Sequence, residues 1–489
     1  MKKALSIAVC TAVMASMLAG CGNTAAPAAS EAPAAAATEE AAPAETTDEA
    51  APAEEASDEP VTLTLGIWPE DTLTADIEMH EGFVAKMAEI DPNVTCVPAY
   101  YKYSTDTFMP MVEAGTVPTI FETWFTEPQK LIRNGAVADI TDELDARGWL
   151  DSMNPSIKAL LSDENGRVYG IPRDGYALGL MLNVELFEEA GLVDENGYPI
   201  APTTWEELAE TAKTIKDATG AAGLCLLAKD NAGGWHFSNI AWAFGATLCT
   251  ENEDGTFTAN LASDEAIAAM EYVKSLKWDY DVLTADPTSE DWGTGFTQLG
   301  TGAAAMYIAA NDAVNQPTQV NGLPVDKLAM TAIPAGPGGQ YSLYGGTPYM
   351  FSKDATSAEI NAALDYLELM GKAPVATDDA IAGMEADAQN KNAEGVPVIP
   401  RFPCWVDQDV LDAEAKIIEE YGNVDTALYQ SYFDATSSDG LRLEEPGLTQ
   451  DMYAELTKVL QAVITDKDAD VAALMQTAND NYQALLDGE

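Results

Sequence analysis

Val61-Thr62-Leu63-Thr64-Leu65-Gly66-Ile67 alternates apolar and polar residues and then runs apolar, the pattern of a strand entering a covered sheet. Downstream, a helical stretch near Glu81 to Ile90 is stopped by Asp91-Pro92. Val94 to Ala99 read as a second strand, and Asp106 to Glu113 as a helix ending at Gly115. Thr119 to Trp124 form a third strand candidate, followed by a helix around Glu127 to Asn134. Strand and helix alternating at this spacing predict an α/β body with a parallel sheet.

Farther along, the pattern turns strongly helical from Thr203-Thr204-Trp205-Glu206-Glu207. Thr203 or Thr204 suits an N-cap, with Glu206 or Glu207 three residues on. Ser263-Asp264-Glu265 opens a helix through Lys277, and Ser357 to Met370 and Asp468 to Leu486 are two more amphipathic candidates. Asn165-Gly166, Asn196-Gly197 and Asp254-Gly255 are tight-turn signals. There is no internal repeat.

Upstream of the body, Lys2 and Lys3 precede an apolar run from Ala4 to Leu18, which reads as a cleaved signal over residues 1–20. Leu18-Ala19-Gly20-Cys21 resembles the lipobox of bacterial lipoproteins. That resemblance implies a diacylglycerol on the Cys21 sulfur and cleavage just before it. Each buried methylene is worth roughly 0.8 kcal/mol, so two or more acyl chains hold a protein at a membrane surface. Residues 21–60 then read as the lipidated cysteine and an Ala/Pro/Glu tether with ten acidic residues and no basic one, a composition that cannot bury enough apolar surface to fold. The expected picture is a body leashed to the extracellular face of a cell membrane.

The body from Val61 to Glu489 is too long for one small core and suggests two lobes. No later run is apolar enough to span a bilayer. The formal charge of −56 makes nucleic acid and anionic lipid poor partners, because phosphate would be repelled over most of the surface. Cys96, Cys225, Cys249 and Cys404 remain after the signal and Cys21, with no CxxC spacing. Cys225 with Cys249 is the first candidate for a disulfide on sequence separation alone, and free buried thiols are the alternative. With two histidines in the chain, His80 and His236, a His/Cys metal site or a Ser-His-Asp triad is poorly supplied. Asp466-Lys467-Asp468-Ala469-Asp470 begins like a calcium loop. Val471 stands where the sharp turn needs Gly, and Thr477 where a bidentate Glu is needed, so acids at a helix N-terminus explain the cluster better. No cofactor and no metal are expected.

Several segments match one family in fixed order. They are Ala114-Gly115-Thr116-Val117-Pro118-Thr119-Ile120, Asn134-Gly135-Ala136-Val137-Ala138-Asp139-Ile140 and Gly166-Arg167-Val168-Tyr169-Gly170-Ile171-Pro172. Then come Leu182-Asn183-Val184-Glu185-Leu186-Phe187, Pro202 to Leu208, Gly302-Ala303-Ala304-Ala305-Met306, Pro334 to Gly339 and Gly345-Gly346. The chain thereby resembles an extracellular solute-binding protein of a bacterial ABC importer, in the carbohydrate-type family that includes the maltose-binding proteins. The resemblance implies a two-lobed α/β fold with a hinge and an interlobe ligand cleft. It places lobe 1 at residues 61–173 and 343–392, and lobe 2 at residues 174–342 and 400–489, with closure about the hinge. The implied partners are a small-molecule solute, with carbohydrate expected, and ABC permease subunits; the protein itself is expected to be a monomer.

A sugar presents hydroxyls at its edge and C–H patches on its faces, so its site needs aromatic platforms and planar polar groups in a mainly apolar cleft. The chain's nine tryptophans, all within the body, can supply the platforms. Trp124 follows the third strand candidate, with Glu122 and Glu127 flanking it; a core tryptophan is the alternative reading. Arg173, Asp174 and Tyr176 follow the Tyr-Gly-Ile-Pro segment at the implied lobe crossing, although a surface salt bridge would equally account for Arg173. Trp235, His236, Asn239 and Trp242 follow Gly233-Gly234; Trp235 is a candidate wall, and helix burial explains Trp242 equally well. Asn311 and Asp312 stand where many relatives carry a Gly and a stacking Trp, which argues against a long maltodextrin ligand. Tyr344, Gly345 and Gly346 lie at the return crossing, where Gly lets backbone approach a ligand. Arg401 and Trp405 fall in the C-terminal return, with inter-lobe packing as their alternative. Trp68 lies at the C-terminal end of the first strand, the end that faces the crevice in open α/β sheets.

The leading expectation is a binding protein that delivers a sugar or oligosaccharide to a permease. An anchored glycoside hydrolase would also use tryptophans and carboxylates, but it needs two carboxylates across one scissile bond and no motif singles out a pair. Arg173 and Arg401 leave open a receptor for a peptide or an organic anion.

Overall fold

The computed structural model describes residues 60–71, 73–252, 254–436 and 440–488. The signal assigned to residues 1–20, the lipidated Cys21 and the tether as far as residue 59 lie outside the described residues.

Eleven strands are defined among the described residues: β1 Val61–Leu65, β2 Val94–Pro98, β3 Ile120–Glu122, β4 Gly170–Asn183, β5 Ala222–Cys225, β6 Cys249–Glu251, β7 Phe257–Ala259, β8 Ala304–Ala310, β9 Leu328–Thr331, β10 Ser342–Phe351 and β11 Leu441–Leu443. Nine of them join in the order β2-β1-β3-β10-β4-β8-β5, with β11 on β10 and β9 on β4; β6 and β7 make a separate hairpin. The alternation in β1 is used as its pattern requires: Leu63 and Leu65 are fully buried while Thr62 is exposed. The helix Thr74–Ile90 connects β1 to its parallel neighbour β2.

Local signals hold at most helix starts. Thr204 accepts from the Glu207 amide to cap Trp205–Thr219, and Ser263 accepts from Ala266 to cap Asp264–Trp278. Thr356 and Glu359 form a reciprocal capping box on Ser357–Leu369. The acidic cluster near residue 466 ends at Asp470, which accepts from the Ala473 amide as the cap of Val471–Leu486. Gly166, Gly197 and Gly255 all take positive φ in the expected turns.

Two cores flank the sheet. One gathers Leu63, Leu65, Ile120, Ile171, Tyr349 and Phe351 with Leu364, Tyr366 and Leu367 from Ser357–Leu369. The other gathers Leu178, Leu180, Trp205, Phe237, Trp242, Met306 and Leu343 with Leu456 and Leu460 from the helix Thr449–Thr465. β4 and β10 belong to both: Ile171 and Tyr349 serve the first core, Leu178 and Leu343 the second. These strands therefore tie the two lobes together.

One expectation needs correction, and one open alternative closes. The sheet is mixed: β1 pairs in parallel with β2 and β3, and β5 with β8, but β10 runs antiparallel to β3 and β4, and β4 antiparallel to β8 and β9. The reason is that β4 and β10 cross between lobes in opposite directions, which no local pattern encodes. Cys225 and Cys249 are not bridged; all four described cysteines are free thiols. Cys225 packs with Phe296 and Tyr307, whereas Cys249 lies in the core around Trp242, so different packing groups separate them.

Candidate functional site

At the crossing, β4 and β10 pair with Gly345 opposite Tyr176 and Thr347 opposite Asp174. A Cβ on Gly345 would come within 2.5 Å of the Tyr176 hydroxyl, so only a glycine lets β10 lie against that ring. Beside this pair opens a cavity of about 260 Å³. Its first-lobe wall is Trp124, just past β3, together with Gly346 and Thr347 of β10. Tyr176 of β4 forms the floor at the crossing. The opposite wall carries Asn231, Ala232 and Trp235 at the start of the helix Ala232–Ala243, Glu444 just after β11, and Gln450 and Tyr453 in Thr449–Thr465.

The helices Ala232–Ala243 and Thr449–Thr465 meet backbone to backbone through Gly233-Gly234. A Cβ on Gly234 would sit 2.3 Å from the Tyr453 carbonyl oxygen, and the Gly234 amide donates to Thr457 Oγ1 at 2.8 Å. That close contact sets Trp235 and Tyr453 on the same wall. The Trp235 ring is held edge-on by Tyr176 at 6.1 Å and by Trp292 at 5.3 Å, and stacks on His236 at 5.0 Å. Burial holds the His236 imidazole down at about 3, so it is neutral. Trp124 is 40% exposed, lines the cavity and touches Tyr103 edge-on at 5.5 Å, an exposure that favours the cavity-wall reading over the core one.

Polar groups edge the cavity. Asn231 Nδ2 donates to Gln450 Oε1 at 3.0 Å, and Gln450 Nε2 reaches Thr126 Oγ1 at 3.5 Å, so Gln450 links both walls. The Tyr453 hydroxyl donates to Glu444 Oε1 at 2.9 Å. Burial pushes the Glu444 carboxyl up to about 7, with the Tyr453 hydrogen bond opposing and the nearby Glu127 adding to the rise.

Arg173 sits behind the cavity and donates to Glu122 Oε2 at 2.9 Å and Asp174 Oδ2 at 2.6 Å. Asp174 Oδ1 also accepts from the Thr347 amide at 3.1 Å, which fixes the β10 bend. Burial raises Glu122 despite Arg173, and burial followed by the Asp174 charge raises Asp312 to about 6. Asn311 is buried and its Oδ1 has no partner. Glu127 accepts from the Tyr103 hydroxyl at 2.8 Å.

Of the residues singled out in the sequence, Trp124, Tyr176 and Trp235 line the cavity, as does Gly346. Glu122, Arg173, Asp174 and Gly345 pack at the crossing beside it; electrostatic coupling links Asp312 to Asp174 and Tyr176. Five residues lie elsewhere. Trp68 is held edge-on by His80 at 5.4 Å. Tyr344 stacks on Phe402 at 4.6 Å and lines a different cavity with Asn154, Leu441 and Arg442. Trp405 packs on Trp149 at 6.3 Å and donates its indole N–H to the Lys372 carbonyl at 3.0 Å. Arg401 is exposed and pairs with Glu414 at 3.0 Å. Trp242 is wholly buried, its indole donating to Glu445 at 2.7 Å. Asn231, Thr347, Glu444, Gln450 and Tyr453 were missed: no local pattern marks them, and only the packing of the β4 crossing, β10 and the helices Ala232–Ala243 and Thr449–Thr465 brings them to one cavity.

The sequence and the fold were compared with known proteins. Residues 79–377 match the profile of the family described as bacterial extracellular solute-binding protein. A Brucella abortus protein described as a binding protein is 28% identical over 303 residues, covering 59% of this chain and 67% of that one. The cyclic α-maltosyl-1,6-maltose binding protein of Arthrobacter globiformis superposes with a TM-score of 0.63 at 19% identity, over 88% of this chain and 100% of that one. The GacH receptor of Streptomyces glaucescens, solved unliganded and in complex with acarbose, gives 0.64 at 18% identity, over 88% and 99%. At such identities these two likenesses show the two-lobed fold. Among the described residues no helix is long and apolar enough to cross a membrane, and no group of three or more His, Cys, Asp or Glu could hold a metal ion.

Proposed function

We propose, for a chain that belongs to the bacterial extracellular solute-binding protein family, that it captures a sugar or oligosaccharide in the cavity between Trp124 and Trp235 and hands it to an ABC permease. The family is one of binding proteins, not of enzymes. The observation that carries the solute class is the lining: four aromatic residues, Trp124, Tyr176, Trp235 and Tyr453, with Asn231, Thr347 and Gln450 at the edges. Aromatic faces suit C–H patches, and amide and hydroxyl groups suit sugar hydroxyls. A cavity of about 260 Å³ lies just below the roughly 300–1,000 Å³ of drug-sized sites, which favours one or two rings over a long chain. The organic-anion reading loses its support, because Arg173 is held by Glu122 and Asp174, and Arg401 by Glu414.

In this reading lobe 1 takes residues 61–173 and 343–392, lobe 2 takes residues 174–342 and 400–489, and Cys21 carries the lipid that keeps the monomer at the extracellular face of the membrane. A thermal-shift screen of mono- and disaccharides, amino acids, short peptides and organic acids tests the solute class, since a ligand that binds only the folded state raises the melting temperature. Sugars are expected to shift it in a saturable way without turnover. A shift from peptides or organic acids alone would overturn the sugar assignment.

A further inference from the structure

Glu444 is an anomaly in a sugar cleft. It lines the cavity, accepts a single hydrogen bond from Tyr453, and no Lys or Arg pairs with it among the described residues. Among the described residues no basic side chain lines the cavity; Arg173, at the crossing beside it, is already neutralised by Glu122 and Asp174, and Arg442, two residues before Glu444, is engaged by Glu445 and the rings of Trp242 and Tyr341. Glu444 is partly withdrawn from water without a cationic partner, which is costly for a carboxylate, and a neutral hydroxyl compensates it only in part.

The walls around Glu444 favour the same missing charge. Trp124, Tyr176, Trp235 and Tyr453 enclose one small volume with it. The negative faces of such rings attract a cation, more strongly when water is excluded, and a box of aromatic rings is the general solution for holding an organic ammonium. The chain's charge of −56 raises the local concentration of cations at the mouth and lowers that of anions. Resting on the reading that this cavity is the solute site, we infer that it selects a small solute bearing a cationic nitrogen, which for a carbohydrate receptor means an amino sugar, with the nitrogen beside the Glu444 carboxylate and between the aromatic rings. Burial holds the empty-site carboxyl near neutrality, so an arriving cation supplies the charge that ionises it.

The test is calorimetric titration of the full chain in detergent with three probes: the disaccharide of glucosamine, its N,N′-diacetyl counterpart, and choline. The charged disaccharide is expected to bind at least tenfold more tightly than the acetylated one. Glu444→Gln keeps an acceptor for the Tyr453 hydroxyl and should cut that preference to less than threefold; Trp124→Leu, at a partly exposed position, should reduce it as well. Equal affinity for the two disaccharides, or tighter binding of the acetylated one, overturns the inference while leaving the sugar reading standing. Choline binding without either disaccharide upholds the cationic site and overturns the sugar reading. No binding of any probe overturns the inference, and should Glu444→Gln fail to fold, the ratio measured on the unaltered chain still decides.

Discussion

Replacing Trp124 by Ala separates a cleft residue from a core residue by two measurements on one variant. The ring is 40% exposed, lines the cavity, and is braced by a single edge contact with Tyr103 at 5.5 Å. Truncating a buried aromatic anchor typically costs about 2 kcal/mol or more of binding. At about 1.4 kcal/mol per decade, that is roughly thirtyfold in affinity. A core tryptophan cut to Ala costs about 3–5 kcal/mol of stability. With part of the ring already in water, the area removed from burial is correspondingly smaller, and a loss of about 1–2 kcal/mol is expected. For lobes of this size that is a fall of several degrees in melting temperature. Calorimetric titration with a bound solute and thermal melting of the same protein are the assays. Full affinity together with a melting temperature lowered by ten degrees or more would refute the reasoning and remove the first-lobe wall from the site.

Four further outcomes are expected. Gly234→Ala places a Cβ against the Tyr453 backbone, an overpacking that costs about 1–3 kcal/mol, and urea unfolding should show the lowered midpoint; an unchanged midpoint would mean that the two helices do not meet there. Glu444 has its folded-state carboxyl raised to about 7 from 4.5 by burial, so the folded state holds the proton more tightly than the unfolded chain, and stability should fall as pH rises from about 4.5 through 7. Glu444→Gln should flatten that decline and melt higher than the unaltered protein at pH 8; an identical pH profile counts against it. Cys21→Ser should release the protein to the medium or leave it unprocessed, whereas unchanged processing with detergent-only extraction would refute the anchor. Small-angle scattering should show a smaller radius of gyration with a saturating solute, because the crossing strands β4 and β10 that join the two lobes can serve as a hinge; no change in the presence of proven binding would argue for a rigid cleft.

Much of the fold was legible because its signals are local. Thr204, Ser263 and Thr356 cap helices at the residues where side-chain acceptors precede apolar periodicity. The strand β1 announces its buried face by alternation. Strand direction was not legible: β10 is almost uniformly buried, so nothing in Ser342–Phe351 tells whether it runs with or against β3 and β4.

The site divides along the same line. Trp124, Tyr176 and Trp235 could be found because each is an aromatic beside a strand end, a crossing or a Gly-Gly pair. Trp68 and Trp405 carry similar surroundings in sequence, yet His80 and Trp149 occupy their rings, and only the packing of distant elements decides that. Glu444 is the sharper case. Among 80 acidic residues one glutamate has no distinguishing neighbour in the sequence. Its character comes from Tyr453 nearby in the chain, from the rings of Trp235 and Tyr176 supplied by distant segments, and from the absence of a paired base among the described residues. An acid's residue type is written in the sequence, but its affinity for a proton or a cation is written in its surroundings. In a chain this rich in carboxylates, a candidate such as Glu444 stands out only once the fold separates the solvated from the enclosed.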